Sequence, residues 1–341
     1  MRGVFYTGDH TVAVRSKPDP RPGPGEVLVR MRAAAVCGSD LHRYRLPAEK
    51  LIRFTDIVAG HEPSGVVAEV GAGVFQVKPG DRVVVYHRRG CGHCADCARG
   101  EIGYCRQARS HGAACDGGDG DYLVTDERNC LPLPDDLSFG VGALLACNFG
   151  TAYCANRKLA PTGGNNLVVF GLGPVGLCSV MVAKAMGARV IGVDVSPGRL
   201  ELAGSLGADD VVDASAGDTV AAIRQLTDDR GADRAIETSG STAAQLTLVR
   251  SLARSGEACI VGFGHGTPSV HLSEIIDRQI VLRGSSIFGL GDHYAMVEFI
   301  RRTRLPIERV ITHRFSIEDG AEAFRVADSA NSGKVIFEWP G

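Results

Sequence analysis

Two patterns of hydrophobic and polar positions follow one another along the chain. In residues 1–148 the apolar positions form short runs cut by Gly/Pro turns, and those at 26–34, 65–70, 81–86 and 121–124 have the length and β-branched content of strands. A β-rich, irregular first domain is predicted. From residue 165 the period changes. An apolar run at 167–170 leads into a helical stretch to about 187 and a strand at 189–193. The alternation continues with helices at 197–206, 219–226 and 243–253, and strands at 210–212, 234–237 and 258–261. Strands alternating with helices of this length predict an α/β unit, 149–287, whose parallel sheet is covered on both faces. Beyond it, a helix at 294–302 and strands near 311–315 and 334–338 are too few to stand alone, so 288–341 is expected to complete the first domain. No repeat of solenoid period is visible, and Gly117-Gly118-Asp119-Gly120 reads as a flexible loop.

Composition narrows the class. With 341 residues the chain exceeds one ordinary core, and 44% hydrophobic with 22% charged residues is the balance of a soluble globular protein. The formal net charge is -2 and basic residues are scattered, which argues against nucleic acid as a partner. No apolar run approaches the roughly 18 residues of a membrane span, and the first residues lack the apolar stretch of a signal peptide, so a cytoplasmic, membrane-free location is expected. In a reducing compartment the 11 cysteines point to metal rather than disulfides. Cys115, Cys130, Cys154, Cys178 and Cys259 stand singly and are expected as small buried apolar residues.

Chemistry concentrates in two motifs. Cys91, Cys94, Cys97 and Cys105 place four thiols within fifteen residues, the donor set of a closed tetrahedral zinc site, in a lobe at about 88–108. A ferredoxin cluster begins similarly, but here the fourth cysteine follows seven residues later, no proline comes after it, and there is no second run. Four sulfur ligands leave no position for substrate, so this zinc is expected to be structural, with His93 exposed beside it. In the second motif, the strand at 167–170 runs into Gly171-Leu172-Gly173-Pro174-Val175-Gly176 and a helix, with Asp194 ending the next strand. Gly171 permits the tight turn, Gly173 admits a pyrophosphate, and Gly176 lets helix and strand approach, with Pro174 and Val175 between them. Asp194 suits ribose hydroxyls and repels a 2′-phosphate, which favours NAD over NADP; Arg199 nearby weighs the other way.

A catalytic zinc needs three protein ligands and an open position. Spacing alone leaves Cys37, His61 and Cys147 as candidates among other buried Cys and His residues.

Cys37-Gly38-Ser39-Asp40, Gly60-His61-Glu62, the Val77-to-Val83 turn, the cysteine lobe and the glycine turn occur in the order seen in zinc-dependent medium-chain alcohol dehydrogenases, which the chain resembles over nearly its whole length. The resemblance implies a GroES-like catalytic domain, a Rossmann, doubly wound coenzyme domain, and a site in the cleft between them. By position, Cys37, His61 and Cys147 resemble the catalytic zinc ligands, giving two zinc ions per chain. Some polyol-oxidising branches instead take an acidic third ligand from elsewhere. Glu62 is similar to the family's glutamate that either supports the ligands from behind or binds the metal transiently, and Asp40 to the carboxylate that orients His61. Ser39 and His42 resemble the relay that takes the alcohol's proton to solvent, Thr151 a nicotinamide contact and Lys334 a pyrophosphate contact.

The implied reaction is oxidation of an alcohol to a carbonyl compound, or its reverse, by a homodimer or homotetramer. Tyr86-His87-Arg88-Arg89 falls where relatives acting on simple alcohols place apolar residues, and a pocket with His87, Arg88, Asn148 and Ser110-His111 would leave polar groups unpaired against a hydrocarbon, so a secondary alcohol within a polyol, sugar or cyclitol is expected. Simple alkanols are the alternative. A non-catalytic cofactor-binding member would have lost the zinc ligands or Ser39 and His42, and a zinc-free reductase would lack Cys37 and His61; all are present.

Overall fold

The computed structural model describes residues 1–264 and 266–340, which cluster as two units: Met1–Gly150 with Phe288–Ala295 and Ile311–Gly341, and Thr151–Ile287 with Met296–Val310. The segment 288–341, expected above as one return, is thus divided. Its helix Leu290–Thr303 buries Met296 and Ile300 in its C-terminal half, and Phe299 packs on Tyr153 of the second unit at 5.4 Å between rings.

The second unit is built on six parallel strands in the order Asp210–Asp213, Arg189–Asp194, Asn166–Phe170, Ala232–Glu237, Leu252–Ile260, Val281–Gly284. Every residue of the central strand Asn166–Phe170 is buried, as a parallel strand covered on both faces requires. The strand order reverses between this strand and Ala232–Glu237, so the glycine turn leaves the sheet where a crevice opens. The helix expected at 243–253 ends earlier, at Ser251, and a strand runs from Leu252 to Ile260. Val281–Gly284 was not legible as a strand: it is the exposed edge, where burial imposes no pattern.

The first unit holds a seven-stranded sheet in which Glu26–Ala35 pairs antiparallel with Pro63–Val70, Tyr122–Asp126 and Lys334–Glu338. The Arg2–Gly8 and Thr11–Ser16 hairpin lies apart from it. The expectation of a flexible loop at 117–120 is wrong. All four residues are buried, with Gly117 N donating to Val58 O at 2.8 Å and Asp119 N to Ala59 O at 2.9 Å. A Cβ on Gly117 would stand 2.0 Å from Gly60 O, so glycine is needed there to let the loop clasp the segment before His61. Of the five single cysteines, Cys115 is only partly buried and the other four are buried.

One buried group makes this unit acid-sensitive. His111 is 1% exposed, its ring bonded to Asp116 O at 2.7 Å and Thr125 Oγ1 at 3.0 Å, and burial depresses its pKa to about 4. The unfolded chain, with an imidazole near 6.5, binds the extra proton between those values, so stability is complete above about pH 6.5 and falls as pH drops towards 4, by roughly 3 kcal/mol in all. Urea unfolding at pH 7.5 and 5 should show a shallower loss in His111→Gln; an unchanged slope would reject this origin.

Candidate functional site

Register brings the first constellation together. Ala34 pairs with Pro63 and Ala35 N donates to Glu62 O at 3.1 Å, so Cys37, just past the end of one strand, and His61, just before the start of the other, are neighbours. The helix Phe139–Ala146 is pinned to the same sheet by Ser64 Oγ donating to Phe139 O at 2.5 Å, and Cys147 ends it. Ligand atoms of Cys37, His61, Glu62 and Cys147 all lie within 4.8 Å of one another, and all four residues are buried.

Asp40 organises this group while fully buried itself. Its Oδ1 accepts from His61 Nδ1 at 2.9 Å and from Tyr6 Oη at 3.1 Å, and its Oδ2 accepts the Cys37 amide at 3.0 Å. One carboxylate thereby fixes the backbone of one donor and the tautomer of another, leaving His61 Nε2 as the lone-pair atom. Tyr6 was not legible in sequence; it enters from the terminal hairpin. Asp119, also missed, has two buried oxygens without a hydrogen-bond partner, and burial, reinforced by Asp40, pushes its pKa well up.

The two thiols divide one proton. A hydrogen bond from Cys147 lowers the Cys37 pKa well below the thiol range and raises that of Cys147, so Cys37 ionises first. Burial disfavours a charged His61, yet Asp40 and Cys37 outweigh it and push its pKa up. A thiolate, a second thiol and an imidazole facing one point are the donors that zinc takes, and a bound cation would displace the shared protons.

Lys334 stands opposite Cys37, since Val36 N donates to Val335 O at 3.1 Å. It is fully buried, with Nζ 2.5 Å from Glu62 Oε2. The ammonium expected as a pyrophosphate contact is thus engaged by a carboxylate of the cluster. Ser39 and His42 are both exposed on the helix Gly38–Tyr44, three residues apart and so on one face, and Ser39 Oγ is 3.4 Å from His61 Nε2. His87 lies with its ring 5.3 Å from that of His61 and its Nδ1 3.2 Å from Ala146 O. Burial and the charge of His61 lower its pKa to about 3. Thr151 is buried in the helix Asn148–Leu159.

The second constellation is local. Sulfurs of Cys91, Cys94, Cys97 and Cys105 lie within 4.8 Å of one another, with Cys91 Sγ 4.0 Å from Cys97 Sγ. A tetrahedron of Zn–S bonds near 2.3 Å has edges of about 3.8 Å, so the lobe fits zinc. Amides of Cys91 and Cys97 donate to the sulfurs of Cys105 and Cys94, each at 3.5 Å. His93 is exposed and bonds Cys91 O.

In the second unit the glycine turn has the required shape. Gly171 has φ +84°; a Cβ on Gly176 would stand 1.9 Å from Gly171 O, whereas one on Gly173 would meet only Arg199 Nη1, at 4.0 Å. The middle glycine thus faces open space at the start of the helix Pro174–Ala185, where backbone amides favour an anion. Asp194 Oδ2 accepts Leu172 N at 2.6 Å, and Oδ1 accepts Val195 N and Ser196 N at 2.8 and 2.9 Å. Three of about four acceptor positions are occupied, leaving room for a further donor.

Comparison with known proteins agrees with this arrangement. Residues 23–135 match the alcohol dehydrogenase GroES-like domain and residues 174–302 the zinc-binding dehydrogenase domain. The chain is 34% identical over 352 residues to the zinc-type alcohol dehydrogenase-like protein YphC of Escherichia coli K12, covering 100% of this chain and 99% of that one. It is also 34% identical to an L-threonine 3-dehydrogenase of Rhizobium rhizogenes, covering 94% and 93%. The alcohol dehydrogenase TADH from Thermus sp. ATN1 shares the fold with a TM-score of 0.92 at 28% identity, with 100% of both chains covered. The chain therefore belongs to the zinc-dependent alcohol dehydrogenases of the medium-chain dehydrogenase/reductase family, enzymes of α/β architecture with a GroES-like and a Rossmann domain.

Proposed function

We propose that this enzyme oxidises a secondary alcohol within a hydroxylated molecule to a ketone, or catalyses the reverse, using NAD and two zinc ions per chain. The observation that carries the reading is the buried cluster of Cys37, His61 and Cys147 beside Glu62. Zinc held there supplies a Lewis acid that acidifies an alcohol hydroxyl, and a dinucleotide on the glycine turn supplies the hydride acceptor. The chain's own residues do the rest. Asp40 keeps His61 Nε2 aimed at the cluster. Ser39 takes up the hydroxyl proton and passes it toward His42 and solvent. Gly171, Gly173 and Gly176, with the amides that follow Pro174 and Val175, bind pyrophosphate; Asp194 and Arg199 hold the adenosine ribose, and Thr151 touches the nicotinamide. Cys91, Cys94, Cys97 and Cys105 hold a structural zinc.

The hydroxylated substrate is supported by His87 at the cluster and by relatives that are L-threonine 3-dehydrogenases. Oxidation of a panel of polyols, cyclitols and alkanols with NAD and NADP, followed by nicotinamide absorbance, tests the reading. Clear preference for 1-hexanol would replace it with the alkanol alternative. We place the enzyme in the cytoplasm; among the described residues no helix is long and apolar enough to cross a membrane. The exposed edge strand Val281–Gly284, with Val281 and Leu282 each 39% exposed, is a surface that a second copy would cover, and sedimentation velocity should find at least a dimer.

A further inference from the structure

Tyr6 reaches the cluster from outside the sheet that builds it. Its strand, Arg2–Gly8, pairs with Thr11–Ser16 and is tied to the segment before His61 by Ala59 N donating to Val4 O at 2.8 Å. Tyr6 is 0% exposed; its ring meets that of Phe324 edge-on at 6.0 Å, and Leu41, Tyr44 and Ala59 belong to the same core. Such packing needs the ring and not the oxygen, since phenylalanine would fill the same place. The oxygen is directed instead at Asp40 Oδ1, 3.1 Å away. Burial, with Asp40 adding to it, holds the Tyr6 pKa well up, so the hydroxyl keeps its proton and donates.

The atom it meets is the one that already accepts His61 Nδ1, at 2.9 Å. Asp40 Oδ2 is taken by the Cys37 amide at 3.0 Å, and Arg43 Nη1 stands off from Oδ1 at 3.9 Å, beyond hydrogen-bond reach. Tyr6 and His61 therefore share one carboxylate oxygen. A carboxylate that pulls harder on a ring N–H makes the opposite ring nitrogen a stronger donor to a metal. A second hydrogen bond on the same oxygen weakens that pull.

We infer that Tyr6 is a positioning residue for the reaction: by sharing Asp40 Oδ1 with the His61 ring proton, its hydroxyl limits how strongly Asp40 draws that proton and so sets how firmly His61 Nε2 holds the metal. This rests on the zinc proposed for Cys37, His61 and Cys147. It gives the terminal hairpin a part in the chemistry that packing does not require.

The test is the zinc affinity of the coenzyme-free protein, read at fixed pH by competition with a chelator, with Cys37→Ser supplying the share of the separate cysteine lobe. Tyr6→Phe keeps the ring and removes the donor, and should tighten zinc at the cluster by about tenfold, the low end of what an outer partner of a ligating histidine is worth. Tyr6→3-fluorotyrosine, a more acidic phenol and so a stronger donor, should loosen it. Phe324→Leu disturbs the packing of Tyr6 without touching its hydroxyl, and should lower the unfolding midpoint without tightening zinc. A residue that only fills space predicts weaker or unchanged binding in Tyr6→Phe, and either result overturns the inference, as does a fluorotyrosine shift in the same direction as that of Tyr6→Phe. Should Tyr6→Phe fail to fold, the fluorotyrosine form decides alone: looser zinc upholds the role and unchanged or tighter zinc overturns it. A wild-type chain that binds one zinc instead of two overturns both this role and the proposed centre. Because no alcohol enters the measurement, a failure of the proposed oxidation is seen separately.

Discussion

Cys37→Ser is expected to lower kcat/KM by about a thousandfold or more without unfolding the protein. The hydroxyl replaces the thiol in nearly the same volume at a site 8% exposed, so no cavity opens. What disappears is the ligand that ionises first, because Cys37 carries the depressed thiol pKa of the cluster. A serine hydroxyl stays protonated and does not hold zinc. Without the cation an alcohol keeps a pKa near that of bulk water, about 15.7, instead of the roughly 7 that zinc gives bound water, and that difference dominates the barrier. Metal analysis alongside kinetics should find the zinc content halved, since the lobe of Cys91, Cys94, Cys97 and Cys105 is a separate site. Full activity in Cys37→Ser would refute the proposed centre.

Lys334→Met should be the most destabilising single change. Lys334 and Glu62 are both fully buried. Burial opposes the charge on Lys334, but Glu62 outweighs it and pushes the pKa up, so the ammonium is retained at neutral pH. Burial pushes the Glu62 pKa well up even beside the lysine, so removing Lys334 leaves a buried carboxyl that either stays charged and unpaired or takes up a proton, a loss of up to about 3–5 kcal/mol, whereas an apolar or neutral pair of similar volume is tolerated. The unfolding midpoint of this unit should therefore fall by roughly 10 °C in Lys334→Met, and much of the loss should return in Glu62→Gln/Lys334→Met. A double variant no better than the single would show that packing, not the unpaired charge, sets the cost.

The two clusters of candidate metal ligands show why sequence was informative in one place and not in another. Cys91 to Cys105 are joined by loops so short that the chain cannot keep the thiols far apart. For Cys37, His61 and Cys147 spacing was silent, and resemblance alone singled them out. The hydrophobic pattern likewise exposed the Asn166–Phe170 strand, buried on both sides, but not Val281–Gly284 at the edge. Nothing local marks Lys334 as buried; its partner Glu62, just before the strand Pro63–Val70, lies far away in sequence. The 117–120 loop was misread because glycines chosen for close approach look the same in a sequence as glycines chosen for freedom.

By itself, then, the order of residues determined what is local: the alternation of strands and helices, the four-thiol lobe, and the glycine turn with Asp194 at the next strand end, all written in short-range spacing. Tertiary structure alone decided which distant groups meet. The Ala34–Pro63 register and the packing of Phe139–Ala146 set Cys37, His61 and Cys147 around one point, turned Asp40 toward two of them and buried Lys334 on Glu62. Those meetings depend on strand pairing and burial between segments far apart in the chain, and only the folded backbone supplies them.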